Sequence, residues 1–171
     1  MVERFEDDVI ILEVGTNDLV DFSPEVVGSQ IENLVHLLID SYSVPGVGVC
    51  HIIPRGACHA EAAIFTRHSD ILRQHLGVVL DSIPNVFCWL HESFSHPAKD
   101  FYLADGVHFN PAGQYNLYRS YRGTILNALG MLYIFTPKLP RFSISFLTFQ
   151  GCASHVDSST ISLYFRLWIS P

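Results

Sequence analysis

Two short stretches carry residue types that could do chemistry. In "DGVHFNPAG", Asp105 stands three residues before His108. An imidazole is a general base near neutral pH when a neighbour fixes its tautomer. A carboxylate accepting from Nδ1–H does this and also stabilises the imidazolium that forms later. In "VGTND", Gly15 permits a tight turn, and Asn17 carries an amide whose N–H can be aimed at a developing oxyanion. Each stretch alone has an ordinary explanation. Gly, Thr, Asn and Asp make turns after strands, and a loop ahead of a capped helix can hold a histidine without using it. The chemistry depends on whether the fold brings the two stretches to one place.

The elements that would position them are readable. "DDVIILEVGTND" is a short, nearly continuous apolar run ended by Gly15, the pattern of a strand buried on both faces. In "SPEVVGSQIENLVHLLIDSY", Ser23 is a good N-cap and Pro24 fits the first helical position. Val27, Ile31, Leu34, Val35 and Leu38 then recur at helical spacing. "VPGVGVCHIIPRG" predicts a second buried strand, "AEAAIFTRHSDILRQHLGVVLDSI" a second helix with an irregularity expected near Ser69, and "NVFCWLHE" a third strand. A loop follows, and Asn110 with Pro111 opens a third helix, "PAGQYNLYRSYRGTILNAL". Alternating strands and helices imply right-handed crossovers and a parallel sheet covered on both faces. Ligand sites in such sheets lie beyond the carboxyl ends of the strands, where both "GTND" and "DGVH" fall.

Taken together, the two motifs resemble the SGNH/GDSL hydrolase family of esterases and lipases. "GTND" is similar to that family's G-x-N-D block and "DGVH" to its D-x-x-H block, in the same order, over about residues 8–129; "IIPRG" after the second strand also looks like the family. The resemblance implies a three-layer α/β/α domain with a parallel, flavodoxin-like sheet. It implies carboxylic ester hydrolysis by a Ser-His-Asp mechanism on a small ester, with no cofactor and no metal. Residue by residue, it makes His108 the general base, Asp105 its orienter and Asn17 an oxyanion donor on the Gly15 turn. The family's nucleophilic G-D-S block and its second glycine block have no counterpart here. Ser23 reads as a cap, Ser41 and Ser43 end a helix, Ser93 and Ser95 lie in the loop with the acid–base pair, and the nucleophile stays unknown. The expectation is therefore an N-terminally truncated fragment, or a degenerate relative, whose sheet is incomplete in its N-terminal half. Such a chain alone would be inactive or nearly so. Its first strand would expose an unpaired edge open to self-association. The alternative is a non-catalytic binding or interaction module on the same fold, a kind of domain also familiar from mobile elements.

Composition bounds the rest. The chain has 171 residues, 49% hydrophobic and 16% charged, enough for one domain with a real core. Its net charge of −7 argues against a nucleic-acid partner, and Tyr115, Tyr118, Arg119 and Arg122 read as a packed helix with snorkelling arginines. His51, His59, His68 and His75 suggest metal binding only superficially: His68 and His75 sit two helical turns apart, about 10.5 Å, too far for one ion. Gly46 and Gly48 precede a strand rather than open a helix, which argues against a nucleotide fingerprint. Cys50 and Cys88 lie in apolar runs as buried thiols, and Cys58 and Cys152 complete no C-x-x-C pair. The acidic N-terminus shows no secretory signal, so a cytoplasmic location is the default expectation. Residues 1–129 form the hydrolase-like domain. Residues 130–171 read as a divergent tail, or else as a strand or hairpin packed on that domain. Pro137, Lys138, Pro140 and Arg141 interrupt its apolar run too often for a membrane span.

Overall fold

The computed structural model describes residues 8–95, 101–135, 142–148 and 165–169. Strand β1 (Val9–Glu13) pairs in parallel with β2 (Gly46–Cys50), and β2 in parallel with β3 (Val86–Trp89). Helix α1 (Asp18–Asp21) and helix α2 (Pro24–His36) connect β1 to β2, with a π-helical turn at Leu37–Ser41. Helix α3 (Ala62–Leu80) connects β2 to β3, and α4 (Pro111–Phe135) follows the long loop after β3.

Strand alternation sorts the side chains onto two faces. Ile10, Leu12, Val47 and Val49 face α2 and α3, where they pack with Val27, Ile31, Val35, Leu72, Leu76 and Leu80. Val9, Ile11 and Cys50 face the other way and pack with Phe87, Trp89, Tyr121, Ile125 and Ala128. Helices therefore cover both faces of a small parallel sheet, a three-layer α/β/α arrangement. The caps behave as their chemistry requires: the Ser23 hydroxyl accepts from Val26 N–H, and Asn110 Oδ1 accepts from Gly113 N–H at 2.9 Å. Helix α3 runs unbroken through Ser69, contrary to the expected irregularity. Its hydroxyl donates to the Thr66 carbonyl at 2.8 Å and is satisfied inside the helix.

The expected bare edge of β1 is corrected by the fold. Strand β4 (Phe142–Thr148) pairs with β1 in parallel, from Val9↔Ile144 to Glu13↔Thr148, and β5 (Phe165–Ile169) pairs with β4 antiparallel. The sheet order is β3-β2-β1-β4-β5. The backbone donors and acceptors of β1 are thus used on both sides, so this edge offers no site for a second chain.

Candidate active site at the carboxyl rim

The loop 101–110 is a compact turn closed by its own backbone. Asn110 N–H donates to Phe101 O at 2.9 Å, Leu103 N–H to His108 O at 2.7 Å, and Tyr102 bridges Phe109. Gly106 adopts φ +68°, a left-handed conformation that a side chain resists, and a Cβ there would meet His59 at 2.8 Å. Within this frame Asp105 organises the loop. Its Oδ1 accepts from Val107 N–H at 2.8 Å and His108 N–H at 2.9 Å, and its Oδ2 lies 2.7 Å from His108 Nδ1. The His108 bond, followed by the two backbone bonds, holds the Asp105 carboxyl well below the usual carboxylate range. An ionised carboxylate only accepts, so Nδ1 carries the proton and Nε2 keeps its lone pair. The His108 side chain is 76% exposed, which leaves that lone pair open to a reactant.

The other sequence-identified residues follow β1. Gly15 has φ +95°, and a Cβ there would press on Val27 and Ile52 at 3.1 and 3.2 Å, so both the turn and the packing select glycine. Its carbonyl accepts from Leu19 N–H at 3.1 Å. Asn17 sits at the N-cap position of α1, but its side chain does not cap the helix. The three strands are parallel, so the Gly15–Asn17 turn and the Asp105–His108 loop both lie at the carboxyl rim. In strand order the β2 loop stands between them, and Gly56 N–H ties it to Gly106 O at 2.8 Å. The fold brings Asp105 and His108 into contact and sets Asn17 on the same rim, two strands away.

Two hollows open beside these loops. One of about 1060 Å³ is lined by Arg55, Cys58, His59, Phe101, Tyr102 and Leu103, immediately beside the Asp105–His108 turn. The other, about 300 Å³, is lined by His51, Asp70, Arg73, His91 and Ser95 among others. Burial first, then Arg73 and His91, push the His51 imidazole down to about 4, and its buried Nδ1 has no hydrogen-bond partner among the described residues.

Sequence reasoning missed a buried polar group. Glu13, Cys50 and His91 come from the ends of three adjacent strands, and their donor atoms lie within 4.8 Å of one another. His91 Nε2 is 3.0 Å from Glu13 Oε2, and its Nδ1 is 2.8 Å from Ser120 Oγ, which also accepts from Trp89 Nε1 at 3.0 Å. The signal was available: by alternation, Glu13, Cys50 and His91 all point to the α4 face at the carboxyl end. Ser120 is a serine in contact with a histidine, but it sits mid-helix against a 2%-exposed ring, without the strand–turn–helix setting of an exposed nucleophile.

No family model matches the chain, and no curated protein matches it. Among solved structures, the chain is similar to one provisionally named a platelet activating factor, from Streptococcus pneumonia. The identity is 20% and the TM-score 0.56, and the match covers 68% of this chain and 59% of that one. The chain thus spans less than two thirds of that structure's length, and what the two have in common is the α/β fold.

Proposed function

We propose that this chain is part of an SGNH/GDSL-type ester hydrolase domain in which His108 is the general base, Asp105 its orienter and Asn17 an oxyanion donor on the Gly15 turn. The observation that carries the reading is the 2.7 Å contact between Asp105 Oδ2 and His108 Nδ1, with the opposite ring nitrogen left at the rim of an α/β/α sheet. In the full reaction a serine hydroxyl would add to the ester carbonyl while His108 Nε2 takes its proton. The tetrahedral oxyanion would be met by the Asn17 amide, and the imidazolium would then protonate the leaving alkoxide. The hydroxyl is the part not assigned to any residue here, so the chain alone turns ester over poorly. The substrate class is a small ester, as the family resemblance implies.

The test supplies the missing hydroxyl from outside. Purified chain is incubated with p-nitrophenyl acetate and increasing ethanol. The reading expects no initial burst, and an alcohol-dependent rate that falls at least about tenfold in His108→Ala, since a positioned base contributes roughly 10²–10⁴ in complete sites. An alcohol-dependent rate that is the same with and without His108 rejects it. A second reading, a binding module without turnover, is favoured by the 1060 Å³ hollow beside the pair, which is as large as whole-ligand pockets. Saturable binding of the ester with no His108-dependent rate would support that reading instead.

A further inference from the structure

We propose that Glu13, Cys50 and His91 form a binding site for a divalent transition-metal ion of the zinc class. The three residues are the donor set such an ion takes: a carboxylate oxygen, a thiol sulfur and an imidazole nitrogen. Glu13 and Cys50 end β1 and β2, and His91 follows β3 by two residues. Two neighbouring parallel strands therefore deliver Glu13 and Cys50 to the same face, and the segment leaving the third delivers His91 beside them.

The distances suit an ion. Zinc–ligand bonds of about 2.0–2.3 Å place neighbouring donors of a tetrahedron roughly 3.3–3.8 Å apart. The three donor atoms here lie within 4.8 Å of one another. The tightest pair, His91 Nε2 and Glu13 Oε2 at 3.0 Å, would open by about 0.3 Å to reach that range. Three protein ligands leave a fourth position for water, as in catalytic rather than closed structural sites.

Outer partners are in place. Ser120 Oγ meets His91 Nδ1 at 2.8 Å and fixes the ring with Nε2 toward Glu13. The Thr124 hydroxyl lies beside Cys50, and the Tyr121 phenol beside Glu13. Ligating histidines and carboxylates are ordinarily held by such second contacts.

Charge decides what the cluster does without an ion. Burial, followed by the neighbouring Glu13 carboxylate, raises the Cys50 thiol well above its ordinary range, so it stays protonated and unreactive. A divalent cation reverses this, because the carboxylate and a thiolate together neutralise it. Binding would release the thiol proton to solvent, so uptake strengthens as pH rises. The competing use of the same residues is a buried His91–Glu13 ion pair beside an inert thiol.

The inference does not rest on the ester-hydrolase reading, and its test reads metal rather than turnover. Cobalt(II) is titrated into the purified chain, and the near-ultraviolet thiolate-to-cobalt absorption is followed. The site predicts a saturable band that disappears in Cys50→Ser and persists when Cys58, Cys88 and Cys152 are all changed to Ser. His91→Gln weakens cobalt binding at least about tenfold. No band in the native chain, a band that survives Cys50→Ser, or one that vanishes in the triple variant overturns the proposal. Either cysteine variant decides it if the other fails to fold.

Discussion

One carboxylate at position 105 binds two backbone N–H groups and one imidazole, so the loop's shape and the His108 tautomer depend on the same side chain. Free imidazole favours the Nε2–H form in solution, and Asp105 reverses that preference in His108. Nitrogen-15 spectra of neutral His108 are therefore expected to show Nδ1–H in the native chain and a shift toward Nε2–H in Asp105→Ala. A second residue-scale expectation concerns His51, whose folded value is lowered from 6.5 to about 4. Between those limits the unfolded chain takes up a proton that the folded chain refuses. His51 therefore makes stability fall as pH drops from 6.5 towards 4, and contributes no further change below. Urea titrations across that window should show a shallower loss in His51→Gln than in the native chain. This histidine's setting was not legible from "VCHIIPRG", because burial and the approach of Arg73 come from α3 packing over the strand end.

At the scale of elements, the junction between the 101–110 loop and α4 is the tightest fit. A Cβ on Gly113 would stand 2.2 Å from the Phe101 carbonyl oxygen and 3.0 Å from Phe109. Backbone cannot swing aside as a side-chain tip can, so Gly113→Ala should destabilise the chain by about 1–3 kcal/mol, measured by urea unfolding. It should also loosen the Asp105–His108 turn that the junction anchors. The strands β1–β3 and helices α2–α4 were legible because each carries a local signature: continuous apolar runs, helical spacing after Ser23, and the Asn110–Pro111 start. The cluster of Glu13, Cys50 and His91 left only the fainter signal of strand alternation, since no spacing along the chain links its members. The Asp105–His108 pair was legible because a three-residue separation lets one turn close it.

For the whole molecule, the fate of the β1 edge matters most. "FSISFLT" does alternate, Phe142, Ile144 and Phe146 with Ser143 and Ser145, yet nothing local indicates that it pairs with a strand over 130 residues earlier. Long-range pairing is the part of a fold that sequence pattern states least. Ending the chain after residue 135 removes β4 and β5 and leaves β1 with open donors and acceptors. Light scattering should then show association that the full chain lacks; a monomeric shortened chain would mean the edge is covered in another way. The central functional claim is also one of overall architecture: the rim serves a single reactant from both the β1 turn and the β3 loop. Its most direct measurement is the alcohol-dependent cleavage of p-nitrophenyl acetate in Asn17→Ala, His108→Ala and the double variant. Each single change should lower the rate at least about tenfold, and the double should fall well short of the product of the two losses, because both groups act on one transition state. An Asn17→Ala chain that keeps the full His108-dependent rate would contradict the account.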